Sequence, residues 1–182
     1  MKLVLALTGA SGVIIGRRLA EELKDQELHL IVSSGARKVA ELEGVDLGGI
    51  EKFATKVWDE GDMGSALASS SNIVDAMIVA PTSMKTLSAI ASGYSDNLIT
   101  RCAENVLKTG SKLVVVPRDT PLSLADIENM KSLKLGGAIV LPPVVGYYTK
   151  PKTIDDVTDF IVGKILDVVG LKHSLYPRWG SE

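Results

Sequence analysis

Five stretches of this sequence set hydroxyls, glycines or charges where they could do chemistry, each just beyond a short apolar run. The first is Thr8-Gly9-Ala10-Ser11-Gly12-Val13-Ile14-Ile15-Gly16. Glycines let a backbone turn tightly and approach an anion, free N–H groups at the next helix start favour negative charge, and Ser11 adds a hydroxyl. A phosphate-bearing cofactor could be held here; the plain alternative is a tight strand-to-helix turn. The spacing is not G-x-G-x-x-G, so it does not name the cofactor. The second is Ser33-Ser34 with Arg37. NAD-binding folds usually place an acid at this point; serines and an arginine could receive a 2′-phosphate, or Ser34 could cap a helix. The third, Pro81-Thr82-Ser83-Met84-Lys85-Thr86, reads as a second anion or cofactor-edge site, or as an N-cap with close-packed small residues. The fourth is Pro117-Arg118-Asp119-Thr120-Pro121. Arg118 suits a phosphate or a carbonyl and Asp119 could handle a proton, unless the two form an ordinary surface ion pair. The fifth, from Pro142-Pro143 through Gly146-Tyr147-Tyr148 to Lys150-Pro151, suggests a substrate wall or simple packing.

These loops need elements to position them. Residues 2–8 are a continuous apolar run, as in a strand buried on both faces. Residues 13–24 put Ile15, Leu19, Ala20 and Leu23 on one helical face. Further strands are predicted over 28–32, 76–80, 112–116 and 138–141, with a short one near 56–58. Further helices are predicted over 36–43, 83–92, from Asp96 or Asn97 to 108, and over 124–133. Ile154, Val157, Ile161, Ile165 and Val168 mark a last amphipathic helix. Pro81, Pro117 and Pro142 are expected to stop the strands before them. Strands alternating with helices predict a single-domain, three-layer α/β fold with a mostly parallel sheet. The domain is drawn over residues 1–170, with a C-terminal arm over 171–182 that carries Pro177 and Trp179.

Composition narrows the function. The 182 residues are 46% hydrophobic but only 4% aromatic, so small aliphatic side chains must fill the core. Mean hydropathy is +0.22, an apolar surplus that a homo-oligomer would bury. A formal net charge of −2 leaves no basic footprint, so no nucleic-acid partner is expected. Cys102 is the one cysteine, which fits a reducing compartment. No apolar run reaches the roughly 18 residues of a membrane span, and the apolar start reads as a core strand. The chain is read as cytoplasmic, with no membrane contact. His29 and His173 are isolated, so no metal site is expected. Arg101, Glu104 and Lys108 share a helix face, either solvated or offering phosphate ligands to a neighbouring subunit. Tyr148 and Lys152 have a reductase-like Tyr-x-x-x-Lys spacing, but it works only on a helix and Pro151 opposes one.

In order, Thr8-Gly-Ala-Ser-Gly12, residues 32–43, Ala80-Pro-Thr-Ser-Met-Lys-Thr-Leu-Ser88, Asn97-Leu-Ile-Thr-Arg101, Val116-Pro-Arg-Asp-Thr-Pro121, Leu141-Pro-Pro143, Gly146-Tyr-Tyr148 and Tyr176-Pro-Arg-Trp-Gly180 resemble the UbiX-type flavin prenyltransferases over nearly the whole chain. The resemblance implies a flavodoxin-like or Rossmann-like fold, large homo-oligomers (commonly dodecamers), and FMN at the subunit interface. It implies transfer of a dimethylallyl group from dimethylallyl phosphate to N5 and C6 of FMN, for use by a UbiD-type decarboxylase, without a metal. By that match Gly9, Ala10, Ser11, Ser33, Ser83, Met84, Lys85, Thr86 and Arg118 would bind FMN. Tyr148 and Lys164 would bind the prenyl phosphate, with Arg101 and Lys108 as further candidates from this or another chain. Ser11, Glu43 and Asp119 would be the polar groups nearest the reacting flavin, and Trp179 would close the site. An allylic phosphate ionises readily when cations hold the departing group and aromatic walls shield the organic fragment. Three positions depart from the family pattern: Lys164 where arginine is frequent, Asp119 where glutamate is usual, and Thr82 where cysteine is usual.

Three other functions compete. A cysteine-type decarboxylase of the same fold would use a histidine near the first helix, and none precedes His29. A non-catalytic FMN carrier would tolerate loss of Lys108, Asp119 and Tyr148. An NADP reductase would rest on Arg37 and the Tyr148/Lys152 spacing.

Overall fold

Strand β1 (Lys2–Leu7) has every residue from Leu3 onward fully buried, which requires cover on both faces. In this computed structural model, which describes residues 1–180, that cover is two helical layers. Alternate β1 side chains point opposite ways. Leu3, Leu5 and Leu7 join a core with α1 (Val13–Glu22), α2 (Ser34–Glu43) and α6 (Ile154–Val169). Val4 and Ala6 join a second core with α3 (Met84–Ser92), α4 (Leu98–Lys108) and α5 (Leu124–Leu135).

β2 (Glu27–Val32), β3 (Lys56–Trp58), β4 (Ala76–Thr82), β5 (Lys112–Pro117) and β6 (Ile139–Val140) complete the sheet. Among the described residues its order is β3-β2-β1-β4-β5-β6 and every pairing is parallel. The predicted three-layer α/β architecture is the observed one.

Two strand ends differ from expectation. β4 runs through Pro81 to Thr82, and β5 includes Pro117. Proline lacks a ladder N–H, and here none is missed. The β4–β5 register shifts between Val79 and Thr82, Thr82 then pairs with Pro117, and the Pro81 carbonyl takes its bonds from Thr8. The cap of α2 is Ser33 rather than Ser34: its hydroxyl accepts from the Ala36 N–H at 3.0 Å. No helix joins Tyr148 to Lys152. Tyr147–Thr149 is a single 3₁₀ turn followed by Lys150 at φ 52°.

After α6 the chain turns back. Tyr176 is 9% exposed and belongs to the same apolar core as Phe160 and Ile161 on α6. The last two residues of the expected C-terminal arm lie outside the described residues.

Candidate active site

Strand order reverses between β1 and β4: the chain leaves β1 towards β2, and β4 towards β5. In parallel sheets ligands bind in the crevice beyond the carboxyl ends at such a point. Two threonines build this one. The Thr8 hydroxyl donates to the Pro81 carbonyl at 2.7 Å and accepts from the Ser83 N–H at 2.8 Å. The Thr82 hydroxyl donates to the Val79 carbonyl at 2.6 Å and accepts from the Val116 N–H at 2.9 Å. Arg118 then reaches across, its Nε donating to the Ser11 carbonyl at 3.3 Å. Ser11, Ser83 and Arg118 therefore leave three adjacent strands and stand at one rim. Ser33 joins from β2, where a Cβ on Gly9 would lie 3.2 Å from the Gly35 backbone. Only glycine permits that approach of the two loops.

The helix starts at this rim are not equivalent. Glu43 covers α1, accepting from the N–H groups of Gly12 at 2.8 Å and Val13 at 3.1 Å. Its charge faces the positive end of the helix, which favours it there. Glu60 does the same for α2, accepting from the Ser34 N–H at 2.7 Å. α3 begins instead under the Ser83 hydroxyl, which accepts from the Thr86 N–H at 3.3 Å and donates to the Thr86 hydroxyl at 3.0 Å. Among the described residues no carboxylate covers α3. Its first N–H groups, at Met84 and Lys85, stand with the hydroxyls of Ser11 and Thr86 and the Arg118 guanidinium as a set of donors. That set suits an anionic flavin such as FMN. The Lys85 ammonium is exposed and lies 3.8 Å from Asp96. Asp119 is exposed next to Arg118 and accepts from the Thr120 N–H at 2.8 Å.

A second group assembles on the α1–α6 side of the sheet. Tyr148 meets Phe160 and Trp179 edge-on, with ring centroids 5.8 and 5.1 Å away. The Lys164 ammonium lies 5.6 Å from the Phe160 ring and 5.3 Å from the Tyr176 ring. Hydrogen bonding to Tyr176 holds Lys164 above the usual lysine pKa. A groove of about 320 Å³ opens beside Lys164 and Asp167, walled by Leu141, Pro142 and Val144. Thus Tyr148, Lys164 and Trp179, far apart in sequence, come together.

Arg101 and Lys108 do not join them within one chain. Both lie on α4, across the sheet, bound to Glu104; the Arg101–Glu104 distance is 2.9 Å. The hydrogen bond from Lys108, then that from Ser95, holds the Glu104 carboxyl down at about 2. His29, on β2, accepts from the Trp58 indole N–H at 3.0 Å, pairs with Glu27 and is 8% exposed. α1, where a decarboxylase would need its histidine, has none. The sequence reading gave no role to Thr8, Glu60, Phe160, Asp167 or Tyr176. Thr8 and Tyr176 left a signal there, as the first residues of the Thr-Gly-Ala-Ser-Gly and Tyr-Pro-Arg-Trp runs.

The Flavoprotein family matches residues 1–166 of this chain. The chain is 48% identical, over all of both chains, to the flavin prenyltransferase UbiX of Methanocaldococcus jannaschii. A crystal structure of AnUbiX in complex with FMN and dimethylallyl pyrophosphate is similar at TM-score 0.95 and 37% identity, covering 99% of this chain and 97% of that one. A dodecameric FMN-dependent UbiX-like decarboxylase from Escherichia coli O157:H7 is similar at TM-score 0.95 and 39% identity, with both chains fully covered.

Proposed function

The chain belongs to the UbiX-type flavin prenyltransferases of the Flavoprotein family, an FMN-dependent group of enzymes, and from that premise we propose that it transfers a dimethylallyl group from dimethylallyl phosphate to N5 and C6 of reduced FMN, for use by a UbiD-type decarboxylase. One observation carries the reading. A rim of anion donors at the β1/β4 crevice exists in the same chain as an aromatic-and-cation cluster made of Tyr148, Lys164 and Trp179.

Reduced FMN, when bound, supplies the nucleophilic ring atoms. Gly9, Ala10, Ser11, Ser33, Ser83, Met84, Lys85, Thr86 and Arg118 are the residues assigned to hold it. Their shared feature is N–H, hydroxyl or guanidinium donors at strand ends, which pair with phosphate and ring carbonyls without buried carboxylates to oppose them. Lys164 and the Tyr148 hydroxyl are assigned to the prenyl phosphate. A cation beside the leaving oxygens stabilises the charge that grows there as the allylic bond breaks. Lys164 does this as a point charge rather than a two-pronged fork. The ring faces of Tyr148 and Trp179 exclude water from the organic fragment and favour positive charge near it. Glu43, fixed by two N–H bonds, together with Ser11 and Asp119, is assigned to orient or move a proton beside the flavin.

Arg101 and Lys108 fit a donor site only if another protomer brings them, which accords with a homo-oligomer, here proposed as a dodecamer. The single, buried cysteine accords with a cytoplasmic setting; no helix among the described residues is long and apolar enough to cross a membrane.

The test is anaerobic incubation of the purified protein with reduced FMN and dimethylallyl phosphate, followed by mass spectrometry of the released flavin. The expected product is FMN heavier by one prenyl unit. Recovery of unmodified FMN alone would overturn the proposal.

A further inference from the structure

The α6 side that faces the donor cluster carries Phe160, Gly163, Lys164 and Asp167, spaced so that they line one stripe. The returning tail lies on this stripe. A Cβ on Gly163 would come within 2.6 Å of both His173 and Tyr176, so a side chain there would lift the tail off the helix. Asp167 gathers what lands. Its Oδ2 accepts from the Tyr176 hydroxyl at 2.5 Å, and its Oδ1 accepts from Arg178 at 2.7 Å and lies 3.1 Å from His173 Nε2. Burial would push this carboxyl up, but the bonds from Tyr176, Arg178 and His173 outweigh it and hold the group at about 2.

Two consequences meet at the donor cluster. Tyr176, with its proton committed to Asp167, lies beside the Lys164 ammonium, which stands 5.3 Å from its ring, and this contact raises the Lys164 pKa. Arg178, anchored on the same carboxylate, fixes the chain one residue before Trp179, whose ring stands edge-on to Tyr148. Trp179 is itself 80% exposed, and among the described residues this anchor and the Tyr148 ring hold it.

We propose that Asp167 is a positioning residue for the prenyl donor: acting through Tyr176 it aims the Lys164 ammonium at the phosphate, and through Arg178 it seats Trp179 against Tyr148. The proposal rests on the donor-site reading above. The relay has a particular use in this chain. A lysine carries one compact charge on a flexible stem, and lacks the planar fork by which arginine orients itself on a phosphate. A neighbour fixed beside the ammonium restricts the stem and so limits where the charge can stand.

Tyr176→Phe is the decisive variant, because the ring keeps its packing on Phe160 and His173, at 5.0 and 5.3 Å, while the hydroxyl is lost. The KM for dimethylallyl phosphate is expected to rise about tenfold, the effect of losing one well-made hydrogen bond to a charged group. FMN affinity should stay at the wild-type value, and Tm should fall by no more than the few degrees that one hydrogen bond to a charged group accounts for. Asp167→Asn should raise the same KM and also free Trp179, seen as a lower tryptophan fluorescence anisotropy in a Trp58→Phe background. Lysine NMR of the flavin-loaded protein reads the relay without substrate: the Lys164 pKa should fall in Tyr176→Phe. An unchanged Lys164 titration overturns the proposal, whatever the protein turns out to catalyse. So does a wild-type KM in a folded Tyr176→Phe, or a parallel loss of FMN affinity and Tm, which would mark the tail as structural only. If the wild-type flavoprotein makes no prenylated product but the Lys164 titration does shift, it is the donor reading that fails and the relay that stands.

Discussion

Arg118 is the residue where the fold meets the proposed cofactor site. Its N–H continues the β4–β5 stitching by donating to the Thr82 carbonyl at 3.2 Å, while its Nε donates to the Ser11 carbonyl at 3.3 Å. The side chain is thereby held across the crevice. Arg118→Ala leaves the backbone bond intact and removes only the bridge and the charge. FMN affinity is expected to fall about tenfold or more, since a hydrogen bond to a charged partner is worth roughly 1.5–3 kcal/mol. Arg118→Lys should recover the charge but not the fork, and so only part of the affinity. Flavin fluorescence titration of the three proteins checks this; equal dissociation constants would remove Arg118 from the site. The place of this residue at a strand end was legible in the sequence, from a charged pair held between prolines after an apolar run. Its partner was not, because Ser11 lies 107 positions away and is met only once β1 and β5 flank the same β4.

At the scale of elements, much was legible because each strand and helix announces itself locally. The apolar runs that became β1, β2 and β5 need no tertiary information, and Gly93 closes α3 in the left-handed conformation that its position demanded. The proline-bearing ends of β4 and β5 were not legible. Whether a missing N–H matters depends on what lies opposite, and here a register shift and the Thr82 hydroxyl take up the bonding. The layer assignment of Arg101 and Lys108 was likewise hidden: spacing tells which residues share a helix face, not which side of the sheet the helix packs on. The Thr82 hydroxyl, fully buried, bonds both strands, so its loss should be costly. Thr82→Val keeps the shape but strands the Val79 carbonyl and the Val116 N–H, at a cost of about 1–3 kcal/mol. For a chain of this size that lowers Tm by several degrees, on the order of 2–4 °C per kcal/mol. Thr82→Ser should melt close to wild type in differential scanning fluorimetry. A Thr82→Val protein as stable as wild type would show that the sheet edge closes without this hydroxyl.

At the scale of the whole molecule, α5 is the element that a single chain leaves unfinished. Its twelve residues bury one side chain, Leu133, while Leu124, Ile127 and Leu135 are 74%, 48% and 81% exposed. Val144 and Tyr147, on the loop beyond β6, are exposed as well. Burying one leucine or isoleucine is worth about 1.5–3 kcal/mol, and a symmetric assembly gains it in every copy. A second copy of this chain is therefore the expected cover for α5. Light scattering should give the wild type a mass close to twelve times 19.3 kDa. A Leu124→Glu/Ile127→Glu protein puts two carboxylates on that face and should give a smaller mass with an unchanged circular dichroism spectrum. Function should follow the assembly. One chain holds Arg101 and Lys108 across the sheet from Tyr148 and Lys164, so only a neighbour can deliver those cations to a donor. The dissociated variant should keep the Arg118 rim, and with it only the FMN affinity that one chain supplies, and show a raised KM for dimethylallyl phosphate. A variant that stays fully assembled would move the interface away from α5, and one that dissociates with its donor KM intact would show that Tyr148 and Lys164 hold the prenyl phosphate without help from another protomer.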